Sequence, residues 1–457
     1  MTTHTFNPEI LHACDIRGIV GKNLFLNDAY ELGKRFTAFL PTPLDSSKVA
    51  VVWDGRESSP LLAQNLIQGL TDAGHNALSL GEGPTPLLYF AVQQPDIIGG
   101  IMITASHNPP EYNGFKLVTS NGPFFGKQIE DLASASLVPS SSLQRGHVIK
   151  DEKVLADYLD LLVQTYPCAA IYKVIWDAGN GICGPLLTLL TKRLPGEHIL
   201  LNCVPDPSFP NHHPDPCLPE NMAQLQNLMQ EEQADVGIAF DGDGDRMGAV
   251  DAQGRIWFGE DLTDLFARDI CTRSPGQLII VDTKTTDATV AAIEELGGIA
   301  LRCKTGHAYM KEMIKEKKAA FGGEYSGHLY FADTFFGYDD ALYSAMRLFK
   351  LLFEKKAPLA FLFPSREGFY TEREACFYCR DHVQTAACYQ AIVQYLKDTS
   401  ALNVDLNDGV RLNYSDGWIL IRCSNSEPKL TSRVEGYTPA GLIRLKKLLT
   451  SYISICI

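Results

Sequence analysis

Residues 101–116 read IMITASHNPPEYNGFK and set the hydroxyl of Ser106 just after an apolar run, inside a turn built from His107, Asn108, Pro109 and Pro110. An apolar run giving way to Pro and Asn reads as a strand that ends in a loop. Such a loop can hold a serine out in a cleft, as a nucleophile or a phosphoryl carrier. Taken alone, Ser106 reads first as a solvated residue of an Asx-type turn, so the rest of the chain has to decide.

A second stretch runs from Ala234-Asp-Val-Gly-Ile-Ala-Phe240 into Asp241-Gly-Asp243-Gly-Asp245-Arg246. In an extended loop, alternate carboxylates converge on one hard cation while glycines allow sharp turns. An EF-hand is excluded, because Arg246 stands where its loop Gly belongs and Ala252 where its bidentate Glu belongs. Three like charges this close are costly without a cation. Three carboxylates suit Mg²⁺ better than zinc, which favours N and S ligands.

A third stretch, Gly322-Gly323-Glu324-Tyr325-Ser326-Gly327-His328, presents Glu324, Ser326 and His328 at a period of two between glycines, with Lys304-Thr305-Gly306-His307 shortly before. That spacing gathers several hydrogen-bonding groups, as recognition of sugar hydroxyls requires; alone it is also an ordinary Gly-rich turn. A fourth, Arg422-Cys423-Ser424-Asn425-Ser426-Glu427-Pro428-Lys429 with Arg433 beyond, offers a guanidinium fork beside neutral donors. It reads as a phosphate cradle or a polar surface turn. The G-x-x-x-x-G-K-[ST] order of a P-loop is not found, so a nucleotide is not the first expectation.

These loops need a scaffold. The 457 residues suggest three or four domains of about 100–200 residues. With 45% hydrophobic and 21% charged residues the composition is that of a globular protein. A net charge of −14 argues against a nucleic-acid partner, which needs a basic face. The twelve cysteines are scattered, and Cys376 with Cys379 form the one C-x-x-C pair, without the second pair or His pair of a structural zinc site. They are expected to be mostly buried, reduced thiols. The first residues lack the apolar core of a signal peptide, and no window approaches the about 18 apolar residues of a membrane span. The expected compartment is the cytoplasm.

Three apolar runs, residues 48–53, 172–177 and 277–282, each close on an acid and lead into helix-compatible sequence. Buried parallel strands of α/β units read this way, and the repeat suggests three related domains in tandem. Residues 28–40 read as a helix. The last ninety or so residues differ: short alternating stretches at 367–379 and 409–421, with helices near 385–397 and 438–449, suggest an α+β domain.

In this order and at these separations, TASHNP, DGDGDR, GGEYSGH and RCSNSEPK resemble the four signature loops of the α-D-phosphohexomutases, most closely those of its bacterial phosphomannomutase/phosphoglucomutase branch. The resemblance implies an α/β protein of four domains around a central cleft, three related mixed α/β domains and a C-terminal α+β domain of TATA-box-binding-protein-like form. The expected spans are 1–150 with the phosphoserine loop, 151–252 with the metal loop, 253–365 with the sugar-recognition loop and 366–457 with the phosphate loop. The implied reaction interconverts hexose 1-phosphate and hexose 6-phosphate, of mannose and also of glucose. It passes through a phosphoserine and a 1,6-bisphosphate that reorients in the site. Mg²⁺ is the implied cofactor, and hexose 1,6-bisphosphate the activator.

Carried over residue by residue, the resemblance makes Ser106 the phosphoserine, with Ser106, Asp241, Asp243 and Asp245 holding Mg²⁺. Arg17, Arg246 and Lys284 would surround the reacting phosphate and sugar, with His107 and Lys116 beside the serine. Glu324 and Ser326 would grip the sugar's 3- and 4-hydroxyls, helped by His307 and His328. Arg422, Ser424, Asn425, Ser426 and Arg433 would hold the other phosphate. His328, Lys116 and His107 all remain candidates for the general base. Cys14 stands where the branch often carries Tyr, and Tyr325 where Met, Glu or Gln is commoner. The implied partner is a small phosphosugar, with neither nucleic acid nor membrane, and the chain is expected to be a monomer or weak dimer. Alternatives are a phosphoglucosamine mutase, whose usual R-P-S-G-T-E-P differs from RCSNSEP, a phosphatase, and a non-catalytic sugar-phosphate binding protein.

Overall fold

The computed structural model describes residues 4–41, 47–135, 144–363, 366–398, 404–424 and 428–456. They form four sheets. The first three are built around the three apolar runs of the sequence. Lys48–Trp53 lies parallel between Asn76–Glu82 and Ile97–Ile103. Tyr172–Asp177 lies parallel between Gly196–Leu201 and Val236–Phe240. Leu278–Asp282 lies parallel between Ile299–Cys303 and Phe321–Gly323. All three central strands are buried along most of their length, which is why they read as continuous apolar runs and do not alternate.

In each sheet one neighbour of the central strand turns back into an antiparallel partner. Ile97–Ile103 pairs with Tyr112–Thr119, Val236–Phe240 with Met247–Asp251, and Phe321–Gly323 with Leu329–Phe331. The turns of these three hairpins are the serine loop, the carboxylate loop and the EYSGH loop. One structural unit, repeated, thus positions three different chemistries. The fourth sheet is wholly antiparallel, and its hairpin of Gly417–Cys423 with Lys429–Gly436 carries the fourth motif. Helices His382–Asp398 and Pro439–Ile453 accompany this sheet, close to the two expected there. The first helix, Leu26–Phe36, begins two residues earlier and ends four residues sooner than its apolar pattern suggested, passing into a 3₁₀ turn at Thr37–Phe39.

One apolar core runs through the first three sheets, joining residues as distant as Leu88, Trp176, Phe266 and Phe349. The fourth sheet has a core of its own around Ile392, Val410, Ile419 and Leu445. It meets the third across a polar seam, in which Arg411 pairs with Asp287 at 3.0 Å, Thr283 donates to Asp408 at 2.7 Å, and Arg366 bridges Glu260 at 2.6 Å and Asp261 at 2.8 Å. Among the described residues no helix is long and apolar enough to cross a membrane. The expectation for the cysteines needs correction: all twelve are free, but only Cys183, Cys271, Cys303 and Cys388 are buried, while Cys168 and Cys376 are exposed.

Candidate active site

Ser106 is 2% exposed and adopts φ 51°, a left-handed conformation uncommon for a residue with a Cβ. Its N–H donates to Thr104 Oγ1 at 2.8 Å, and its hydroxyl donates to Asp241 Oδ2 at 2.8 Å. The carboxylate loop can come this close because residue 242 is glycine. A Cβ there would lie 2.3 Å from the Ser106 carbonyl oxygen. The loop is clasped from within, since Asp241 Oδ1 accepts the backbone N–H groups of Gly244, Asp245 and Arg246 at 3.0, 3.1 and 3.2 Å. That leaves Oδ2 to face the serine.

The side chains of Asp241, Asp243 and Asp245 are fully buried, with candidate ligand oxygens all within 4.8 Å of one another. Burial and the two neighbouring carboxylates push Asp241 well above the usual carboxylate range. Asp245 is held well below it: burial opposes ionisation, but Lys116 and His328 outweigh it. The Lys116 ammonium bridges Asp243 Oδ2 at 2.6 Å and Asp245 Oδ2 at 2.5 Å, and these acids hold its proton on despite burial. Lys116, and Arg246 with its Nε 3.9 Å from Asp241 Oδ2, set two cations against three carboxylates, and among the described residues Asp243 Oδ1 and Asp245 Oδ1 are buried without hydrogen-bond donors. Hard, orphaned oxygens beside a hydroxyl fit a divalent cation of the Mg²⁺ type.

Arg246 links this cluster to the two histidines. Its Nε donates to His328 Nε2 at 3.2 Å, and its Nη1 lies 3.1 Å from His107 Nε2. His107 Nδ1 lies 3.4 Å from Asp215 Oδ2. Burial, then Arg246, hold the His107 imidazole well below its ordinary pKa, while Asp215 opposes them. Arg17 reaches the loop from the first strand, donating to Asn108 Oδ1 at 2.7 Å and Asp15 Oδ2 at 2.5 Å. In the third loop His328 Nδ1 lies 2.9 Å from Ser326 Oγ, and Glu324 Oε2 accepts the Gly306 N–H at 3.0 Å, next to His307. Eight expected residues, Arg17, Ser106, His107, Lys116, the three acids and Arg246, therefore form one connected cluster, with His328 joined to it and Ser326, Glu324 and His307 behind.

The distal residues are arranged differently. Arg422 Nη2 donates to Asp408 Oδ1 at 3.1 Å, and its buried Nε has no partner among the described residues. Ser424 closes the base of its hairpin through a 2.9 Å bond from its N–H to the Lys429 carbonyl. Asn425 and Ser426 lie outside the described residues. Lys284 pairs with Glu374 at 2.6 Å. Arg433, 2% exposed, binds Glu260 and the Lys284 carbonyl and lies 4.5 Å over the Tyr325 ring. Tyr325 faces the same seam, accepting the Glu374 N–H at 3.3 Å.

Sequence reasoning missed Arg56. Its five guanidinium N–H groups are all engaged: Nε with Asp54 Oδ2 at 3.1 Å, Nη1 with the Pro109 and Tyr112 carbonyls at 2.7 and 3.0 Å, and Nη2 with those of Ser106 and Asn108 at 2.9 and 2.6 Å. It stitches the whole serine turn to the central strand. Thr85, which donates to Asp243 Oδ2 at 2.5 Å, and Asp215 were missed as well. The one available signal was Asp54-Gly-Arg56 at the end of an apolar run.

A serine on a buried carboxylate cluster, ringed by Arg, Lys and His, is suited to metal-assisted phosphoryl transfer. The chain matches the phosphoglucomutase/phosphomannomutase alpha/beta/alpha domains I, II and III over residues 9–137, 156–254 and 258–366, and the C-terminal domain of the same family over 384–449. It is 39% identical over 437 residues to a phosphomannomutase/phosphoglucomutase of Pseudomonas putida, covering 96% of this chain and 94% of that one. It is 35% identical over 439 residues to a Neisseria gonorrhoeae phosphoglucomutase, covering 96% and 95%. A phosphoglucomutase/phosphomannomutase family protein from Burkholderia thailandensis superposes with a TM-score of 0.86 at 33% identity, covering 99% of this chain and 98% of that one. The chain therefore belongs to the phosphoglucomutase/phosphomannomutase family of phosphohexomutases, isomerases that interconvert hexose phosphates.

Proposed function

We propose that Ser106 carries the phosphoryl group in a reversible interconversion of hexose 1- and 6-phosphates, of mannose and also of glucose. The observation that carries the reading is the Ser106 hydroxyl 2.8 Å from Asp241 Oδ2 at the edge of a buried three-carboxylate cluster. In the forward step a sugar hydroxyl, at C1 or C6, attacks the phosphorus as the bond to Ser106 Oγ breaks. The hydroxyl proton passes to a base, and the product is a 1,6-bisphosphate. After this intermediate turns around, its other phosphate returns to Ser106 Oγ and the proton goes back to the sugar oxygen.

Such transfer asks mainly for alignment and charge neutralisation. Arg17 and Arg246 supply charge around the serine. Lys116, its proton held by two acids, donates and does not abstract in this arrangement. Mg²⁺ bound by Asp241, Asp243 and Asp245 would neutralise charge developing on the transferring group. Glu324, Ser326, His307 and His328 would read the sugar, and Arg422, Ser424, Asn425, Ser426 and Arg433 the other phosphate. Lys284 would reach the substrate once released from Glu374. Support for the ligands comes from two Aspergillus fumigatus N-acetylphosphoglucosamine mutase structures, one with GlcNAc-6P and magnesium and one with glucose 1,6-bisphosphate; at 14% identity they share the fold only.

The phosphomannomutase and phosphoglucomutase names of the relatives favour mannose and glucose over glucosamine. Turnover of mannose, glucose and glucosamine 1-phosphates, compared with free-phosphate release, tests the reading. Dominant glucosamine turnover would replace the substrate, and stoichiometric phosphate release would make the protein a phosphatase.

A further inference from the structure

Lys311 and His307 lie one turn apart on the helix His307–Lys317, so their side chains share a face. The buried Lys311 Nζ has three acceptors around it: His307 Nδ1 at 3.0 Å, Asp339 Oδ1 at 2.8 Å and the Tyr89 hydroxyl oxygen at 2.8 Å. An ammonium has three donors and no lone pair, so these contacts use it completely. Nδ1 of His307 is thereby left the role of acceptor, and a neutral imidazole that accepts at Nδ1 carries its proton on Nε2. A charged imidazole would set a second N–H against the ammonium at 3.0 Å. Burial, then Lys311 and Lys116, keep the ring neutral by holding its pKa well below the ordinary value.

His307 Nε2 is buried and has no hydrogen-bond partner among the described residues. Its ring stands 6.2 Å from that of His328, and the Gly306 N–H before it is held by Glu324, so the imidazole stands against the loop of Glu324 and His328. We propose that Lys311 is a positioning residue: by donating to Nδ1 it locks His307 in the Nε2–H tautomer, so that His307 meets the substrate as a hydrogen-bond donor to an oxygen of the phosphosugar. Only the identity of that oxygen's owner rests on the function proposed above; the tautomer belongs to the resting protein. Tyr89 and Asp339 fix the ammonium in turn. Tyr89 lies on the helix Thr85–Val92, whose first residue holds Asp243, which ties the lock to the carboxylate loop.

The test is a long-range ¹H–¹⁵N correlation spectrum of the full chain labelled with ¹⁵N-histidine, the His307 signal being assigned by its loss in His307→Gln. The expected spectrum has an unprotonated Nδ1 and a protonated Nε2. A protonated Nδ1 overturns the proposal, whatever the protein does with hexose phosphates. In Lys311→Met the signal should shift toward a tautomer mixture and kcat/KM for hexose phosphate should fall about tenfold, the loss of one such hydrogen bond, mostly through KM. Lys311→Gln, whose amide still donates, should recover part of both. A His307 spectrum unchanged in Lys311→Met would equally overturn it, and should that variant not fold, the wild-type spectrum still decides.

Discussion

Ser106 combines three properties that seldom coincide in a turn residue: burial, a left-handed backbone and a hydroxyl committed to a carboxylate. Replacing it by Ala removes the oxygen proposed to carry the phosphoryl group, so turnover should fall by at least about three orders of magnitude while sugar-phosphate binding, measured by calorimetry, persists. Asp241→Asn should weaken Mg²⁺ binding about tenfold or more, read as a rightward shift of the Mg²⁺ activation curve, because one of the three proposed hard anionic ligands is lost. At Asp215, burial alone would raise the pKa, but His107 and Arg246 bring it down to about 2. A depressed carboxylate stabilises the fold above its unfolded pKa near 3.8, and that stability disappears as pH falls toward about 2. Asp215→Asn should therefore cost about 2 kcal/mol by urea unfolding at pH 7 and much less near pH 2. These residues were legible in unequal degree. Asp241, Asp243 and Asp245 announce themselves, because convergent carboxylates need that spacing and those glycines. Asp215 has no such spacing, since its partner His107 comes from another domain and only folding brings them together.

The element that organises the site is the hairpin beside a central parallel strand, used for the serine, carboxylate and EYSGH loops alike. Its apolar strand is visible in the sequence because burial on both faces leaves an unbroken hydrophobic run. The shape of its turn is not, because the turn is held by bonds to backbone carbonyls, which every residue possesses. Arg56 is the example: four of its partners are the carbonyls of Ser106, Asn108, Pro109 and Tyr112, and nothing in HNPPEY predicts them. Arg56→Lys keeps the charge but offers three donors from one nitrogen in place of the five-donor fork. It should lower kcat about tenfold or more with a smaller change in KM, because the serine turn loses its shape while the loops proposed to read the sugar do not. A kcat equal to wild type would show that the turn holds itself.

At the scale of the whole molecule, one apolar core runs through three domains while the fourth keeps its own and meets the third through charges. Its seam was the least legible feature, because Glu260, Glu374 and Arg433 acquire meaning only once distant parts of the chain face one another. Glu260 pairs with both Arg366 and Arg433, so Glu260→Gln leaves two cations under-compensated in a buried seam. Hydrogen exchange should then quicken about tenfold in Tyr370–Thr371 and the facing end of Lys429–Gly436, with Leu278–Asp282 unchanged. Equal protection in both regions would mean that the seam is held by something other than these ion pairs. The proposed role of Ser106 as phosphoryl carrier is open to a direct test. The direct measurement is the intact mass of the protein after incubation with hexose 1,6-bisphosphate, followed by peptide mapping. One added phosphoryl group is expected, on Ser106, absent from Ser106→Ala and lost to a hexose monophosphate. Full turnover by a chain that never carries phosphate at Ser106 would contradict it.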